Sequence, residues 1–155
     1  MAAEDPRTVS QSTESETVEL EIPPGGELLS LARLTAATLA ARSDFSVEEV
    51  EDLRLAVDEL CLPLVRASNE SRLRLRFTRD DDSVAITCMW ATAGSGSDTD
   101  ASSAVGGEGG VVPLQSEHPD DALSTYILDA LVDEHGPVDE NHRLAGHWLR
   151  KRRAS

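Results

Sequence analysis

Two neighbouring stretches, SRLRLRFTR at 71–79 and SVAITCMWA at 83–91, alternate apolar and polar residues and are joined by three aspartates. Successive side chains on a strand point to opposite faces, so this pattern predicts an antiparallel hairpin. Its first strand places Leu73, Leu75 and Phe77 on one face and arginines on the other. A sheet with one apolar face must be covered, and the cover has to come from the rest of the chain.

The spacing of Ser46 and Glu49 is that of a capping box, in which hydroxyl and carboxylate each satisfy a free amide at a helix start. In the helix that follows, Val50, Leu53, Val57, Leu60, Cys61 and Leu64 recur at steps of three and four, a stripe suited to packing on a flat apolar surface. Pro63 interrupts its logic. A proline inside a helix lacks the amide that would bond the carbonyl four residues back, here that of Glu59, and costs ~3 kcal/mol or kinks the helix.

Elsewhere, TVELEI (17–22) alternates like a half-buried strand and PPGG (23–26) ends it in a turn. Helical spacing runs over 27–42, through Leu28, Leu31, Ala32, Leu34 and Leu39, with Arg33 on the polar side. Residues 92–118 are rich in Gly and Ser and predict a long flexible loop. A third helix is expected over 119–134, HGPVDEN (135–141) as a turn, and 143–153 as a closing strand with the basic end RKRR. The expected fold is α+β, a two-layer sandwich with helices on one face of a mostly antiparallel sheet. Residues 1–16 are expected as a disordered leader and 17–153 as one domain.

The 155 residues, 39% of them hydrophobic, suffice for one core. A net charge of −15 gives no electrostatic support to binding nucleic acid or an anionic membrane, so a protein or small-molecule partner is expected. No apolar run approaches the ~18 residues of a membrane span, and the leader has no apolar segment after a basic start, which predicts a soluble, cytoplasmic protein. Cys61 and Cys88 sit within apolar patterns and are expected as buried thiols rather than a disulfide or metal pair. His135, His142 and His147 lack ligand spacing, so no metal site is expected, and RKRR is expected to keep an end soluble. Trp90 and Trp148 are expected as core or interface anchors.

Taken in order, LARLTAA (31–37), LRLAVDELC (53–61), ILDALVDE (127–134) and the closing strand resemble the bacterial anti-sigma factors of the serine-kinase type, within the histidine-kinase-like ATP-binding superfamily. The resemblance covers roughly residues 17–152. It implies a homodimer that captures an alternative sigma factor and releases it when an anti-anti-sigma protein competes for the same surface. Active members use ATP and magnesium to phosphorylate that competitor on serine. Arg33 matches the position at which an arginine of the first helix contacts both partners.

The nucleotide boxes match poorly. The resemblance puts the base carboxylate on Glu59 and the magnesium-binding asparagine at Pro63, which has no side-chain oxygen to offer. The adenine-binding aspartate falls nearest Trp90, with Gly94 and Gly96 as a displaced remnant. The phosphate-facing glycines fall on ALST (122–125), which has none, although GGEGG (106–110) offers an alternative cradle. Losing a magnesium ligand and these glycines removes stabilisation worth several kcal/mol to phosphoryl transfer. The expectation is an anti-sigma factor with little or no kinase activity, Glu59 being a vestigial base. The alternatives are an active serine kinase using ATP and magnesium, and an interaction domain that regulates something other than transcription.

Overall fold

The computed structural model describes residues 15–67, 72–91, 119–140 and 143–154. Strands β1 (Glu16–Ile22), β2 (Leu73–Arg79), β3 (Ser83–Trp90), β4 (Glu134–Glu140) and β5 (Arg143–Arg152) form one antiparallel sheet in the order β1-β2-β3-β5-β4. Helices α1 (Leu29–Ala41), α2 (Val47–Arg66) and α3 (Pro119–Leu131) make the second layer. This is the expected α+β sandwich.

The hairpin alternation sets the register. Leu75 opposes Cys88 and Phe77 opposes Ile86, so the apolar residues of both strands share one face. Leu73, Leu75, Phe77, Val84, Ile86, Cys88 and Leu149 are buried there against Leu53, Val57, Leu60, Cys61 and Leu64 of α2. Each large side chain so covered contributes about 1.5–3 kcal/mol of transfer free energy. On the opposite sheet face Glu19 pairs with Arg76 at 2.7 Å and Glu21 with Arg72 and Arg74 at 2.8 and 3.3 Å, which accounts for the arginine side of β2.

Helix α2 is the middle helix, in contact with α1 on one side and α3 on the other. Ala32, Ala36 and Ala40 recur every four residues and are fully buried, so α1 lies close with little side chain intervening. The chain turns from α1 to α2 through Asp44, at φ 56°, a left-handed conformation that Asp tolerates better than most residues. The capping box forms as expected: Glu49 N donates to Ser46 Oγ at 3.2 Å and Ser46 N to Glu49 Oε2 at 2.7 Å.

Several bounds differ from the sequence-based expectation. The first helix opens with a 3-10 turn, Gly26–Leu28, because the PPGG turn leads into it without a side-chain cap. Helix α3 stops at Leu131, and HGPVDEN is mostly strand β4 rather than a turn. Pro137 is tolerated because β4 is a sheet edge, where a missing amide costs no ladder bond, and a bulge follows at Val138/Asp139. The leader, apart from its last two residues, and the loop expected at 92–118 lie outside the described residues. Among those described, no helix is long and apolar enough to cross a membrane.

The basic end, expected to keep a terminus soluble, takes part in packing. Lys151 is buried, its Nζ donating to the Leu131 carbonyl at 2.6 Å and to Asp52 at 3.2 Å, so β5 is tied to the ends of both α2 and α3. Arg152 pairs with Glu134 at 2.7 Å, and Arg153 donates to the Ser43 carbonyl at 3.2 Å.

Candidate functional site

The stripe that buries α2 leaves Asp58 and Glu59 half-buried on its flanks, about 100° apart around the helix. One helix therefore presents two adjacent carboxylates to two different neighbours. Asp58 faces α1, and Arg33 Nη1 donates to both of its oxygens, at 2.7 and 2.9 Å. Glu59 faces α3, where the hydroxyl of Ser124 donates to Oε2 at 2.7 Å. Ser124 is only 4% exposed.

Pro63 stands one turn after Glu59 in the last turn of α2, and the helix continues past it to Arg66. Its own carbonyl accepts from Ala67 N at 3.0 Å, so the cost of the missing amide is confined to the bond owed to Glu59. The proline adds no side-chain oxygen to the neighbourhood. ALST lies inside α3, which packs on α2, so the stretch aligned with the phosphate-facing glycines is helical and carries side chains. Trp90 ends β3 and packs against the core where an adenine-binding acid is expected. Gly94, Gly96 and the cluster at 106–110 lie outside the described residues. These residues do not fit a nucleotide held through magnesium in the manner the resemblance implies, because the position it gives to the metal ligand is a proline with no side-chain oxygen and the stretch it gives to the phosphate-facing glycines is a helix with side chains.

Arg33 and Glu59, the two residues singled out from sequence, lie on opposite sides of α2 and do not form one cluster. Sequence reasoning misses their partners, Asp58 and Ser124. Asp58 adjoins Glu59 in DEL, and Ser124 lies in ALST, and no local spacing in either stretch marks them as the partners of Arg33 and Glu59. A surface cleft of about 300 Å³ opens instead at the other end of α2, lined by Glu49, Leu131, Asp133 and Lys151 among others. Ten residues of helix, about 15 Å, separate Glu49 from Glu59. Among the described residues no group of three potential ligands could hold a metal ion.

The fold is a two-layer α+β sandwich, consistent with the histidine-kinase-like ATPase fold. No family model matches the chain. Among curated relatives it is similar to serine-protein kinase RsbW of Bacillus velezensis, 28% identical over 132 residues that cover 79% of this chain and 78% of the relative. The protein of the same name from Bacillus licheniformis is 29% identical over 126 residues, covering 76% and 74%. That of Bacillus cereus strain AH187 is 29% identical over 124 residues, covering 77% and 75%. These relatives bear out the resemblance to the serine-kinase type of anti-sigma factor.

Proposed function

We propose that the chain is an anti-sigma factor that sequesters an alternative sigma factor, is displaced by anti-anti-sigma proteins, and has little or no kinase activity. The observation that carries the loss of kinase activity is the pairing of Glu59 with Ser124 one turn before Pro63. A general base must meet the acceptor hydroxyl at hydrogen-bond distance, and here a hydroxyl of the chain itself already occupies Oε2. No side-chain oxygen follows at position 63 to bind the metal that would neutralise phosphate charge.

The binding half of the proposal rests on α1. Arg33 uses only Nη1 on Asp58, and among the described residues Nε and Nη2 form no hydrogen bond, so one edge of the guanidinium is free for a partner carboxylate. Leu31 and Leu34 beside it are 46% and 64% exposed, an apolar flank of the kind protein interfaces use. The partners are an alternative sigma factor and an anti-anti-sigma protein, with the chain acting as a cytoplasmic homodimer in a stress or developmental switch.

A second reading, an active serine kinase, is favoured by the relatives, which are serine-protein kinases. Incubation with ATP, magnesium and a cognate anti-anti-sigma protein decides between them by mass spectrometry of the latter. The proposal expects no serine phosphate above background. Phosphate that disappears with Glu59→Ala would establish the kinase instead.

A further inference from the structure

We infer that Cys61 and Cys88 are an oxidisable dithiol, which closes to an intramolecular disulfide between α2 and β3 when the protein meets a peroxide. The two Sγ atoms touch at 3.5 Å, and both cysteines are fully buried and unbridged. Disulfide sulfurs lie about 2.05 Å apart, so closure needs an approach of only about 1.5 Å between two side chains that already share a core wall. Their strand and helix are anchored on either side: Cys88 opposes Leu75 in the middle of the sheet, and Leu60 and Leu64 flank Cys61 on the buried stripe of α2. Cys61 also lies between Glu59 and Pro63 in sequence, so the bond would fasten the helix segment that bears Asp58 and Glu59 to the sheet.

The chemistry balances with hydrogen peroxide as the oxidant. One sulfur, as thiolate, attacks a peroxide oxygen; the O–O bond breaks, and the departing hydroxide takes a proton to become water, leaving a sulfenic acid. The second sulfur attacks the first; the S–O bond breaks, and the hydroxyl leaves with the second thiol's proton as another water. The two sulfurs lose two electrons in all, and these reduce the peroxide. The hydrogen bond to Cys88, burial, and the nearby Asp58 charge hold the Cys61 thiol well above its ordinary range, so the thiolate is scarce. Oxidation is therefore slow and passes through brief openings between α2 and β3. Once the first sulfur is oxidised, its neighbour stands in place to resolve it.

The test treats the native full-length chain with excess hydrogen peroxide and quenches it in denaturant containing iodoacetamide. Expected is a monomer that takes up no carbamidomethyl group, yields one peptide joining Cys61 to Cys88, and recovers both alkylatable thiols after dithiothreitol. The oxidised chain should also melt several degrees higher, because the cross-link closes a loop of the unfolded chain. Two thiols that stay alkylatable throughout, or a cross-link found only between chains, would overturn the inference. Cys88→Ala must abolish the cross-link, and the measurement on the unaltered chain decides the matter even if that variant does not fold.

Discussion

The Ser124 hydroxyl donates to Glu59 Oε2 at 2.7 Å, joining α3 to α2 across 65 residues of sequence. Both groups are at least half-buried, so neither is fully compensated by water once the other is removed. A hydrogen bond to a carboxylate contributes about 1.5–3 kcal/mol, and Ser124→Ala should lower unfolding stability by that amount in urea titration. A loss under about 0.5 kcal/mol would show that the pair does not hold α3 in place.

Arg33 and Asp58 should behave differently. Their side chains are 33% and 37% exposed, and pairs so open to solvent contribute about 0.2–1 kcal/mol. A double-mutant cycle with Arg33→Ala and Asp58→Ala, read by chemical denaturation, should give a coupling within that range. The effect of Arg33 is expected in partner binding rather than in stability.

Much of this architecture was legible beforehand because burial of one face imposes a period. LRLRF could not shift register by one residue without turning its apolar side chains to water, and Ser46 with Glu49 marked a helix start through local bonds alone. HGPVDEN reads as a turn because Gly and Pro usually signal turns, whereas an edge strand with a bulge accommodates both. The pairs Arg33 with Asp58, Glu59 with Ser124 and Cys61 with Cys88 span 25, 65 and 27 residues, and no local pattern encodes contacts made only after the layers pack. The candidate site was thus half legible: its named residues were visible in the sequence, and what holds each of them was not.

Gly146 on β5 lies directly against the backbone of Cys88 and Met89, and a Cβ built on it would come within 2.8 Å of Met89 Cα. Backbone in the middle of a sheet cannot give way as a side-chain tip can. Gly146→Ala should therefore cost about 1–3 kcal/mol, seen as a lowered urea midpoint with an unchanged slope. An unaffected midpoint would mean that the β3–β5 contact is looser than the register implies.

Acid should weaken the seam between α2 and the end of β5. The backbone amides of Ala154 and Ser46 donate to Glu49 at 2.6 and 2.7 Å and hold its carboxyl below the usual 4.5. A carboxyl depressed on folding contributes stability that is fully present above pH 4.5 and is lost as the pH falls through its lower folded value. Thermal midpoints measured from neutral pH down past this window should fall less steeply for Glu49→Gln than for the unaltered chain. Parallel curves would remove Glu49 from the account.

Capture of a sigma factor is the activity proposed for this fold. It is tested most directly by titrating the purified chain against each alternative sigma factor of its source, one at a time, by calorimetry. The account predicts saturable binding to one of them, weakened at least tenfold by Arg33→Glu, or about 1.4 kcal/mol, and reversed by an anti-anti-sigma protein. Saturable binding to none, or binding that Arg33→Glu leaves unchanged, would contradict it.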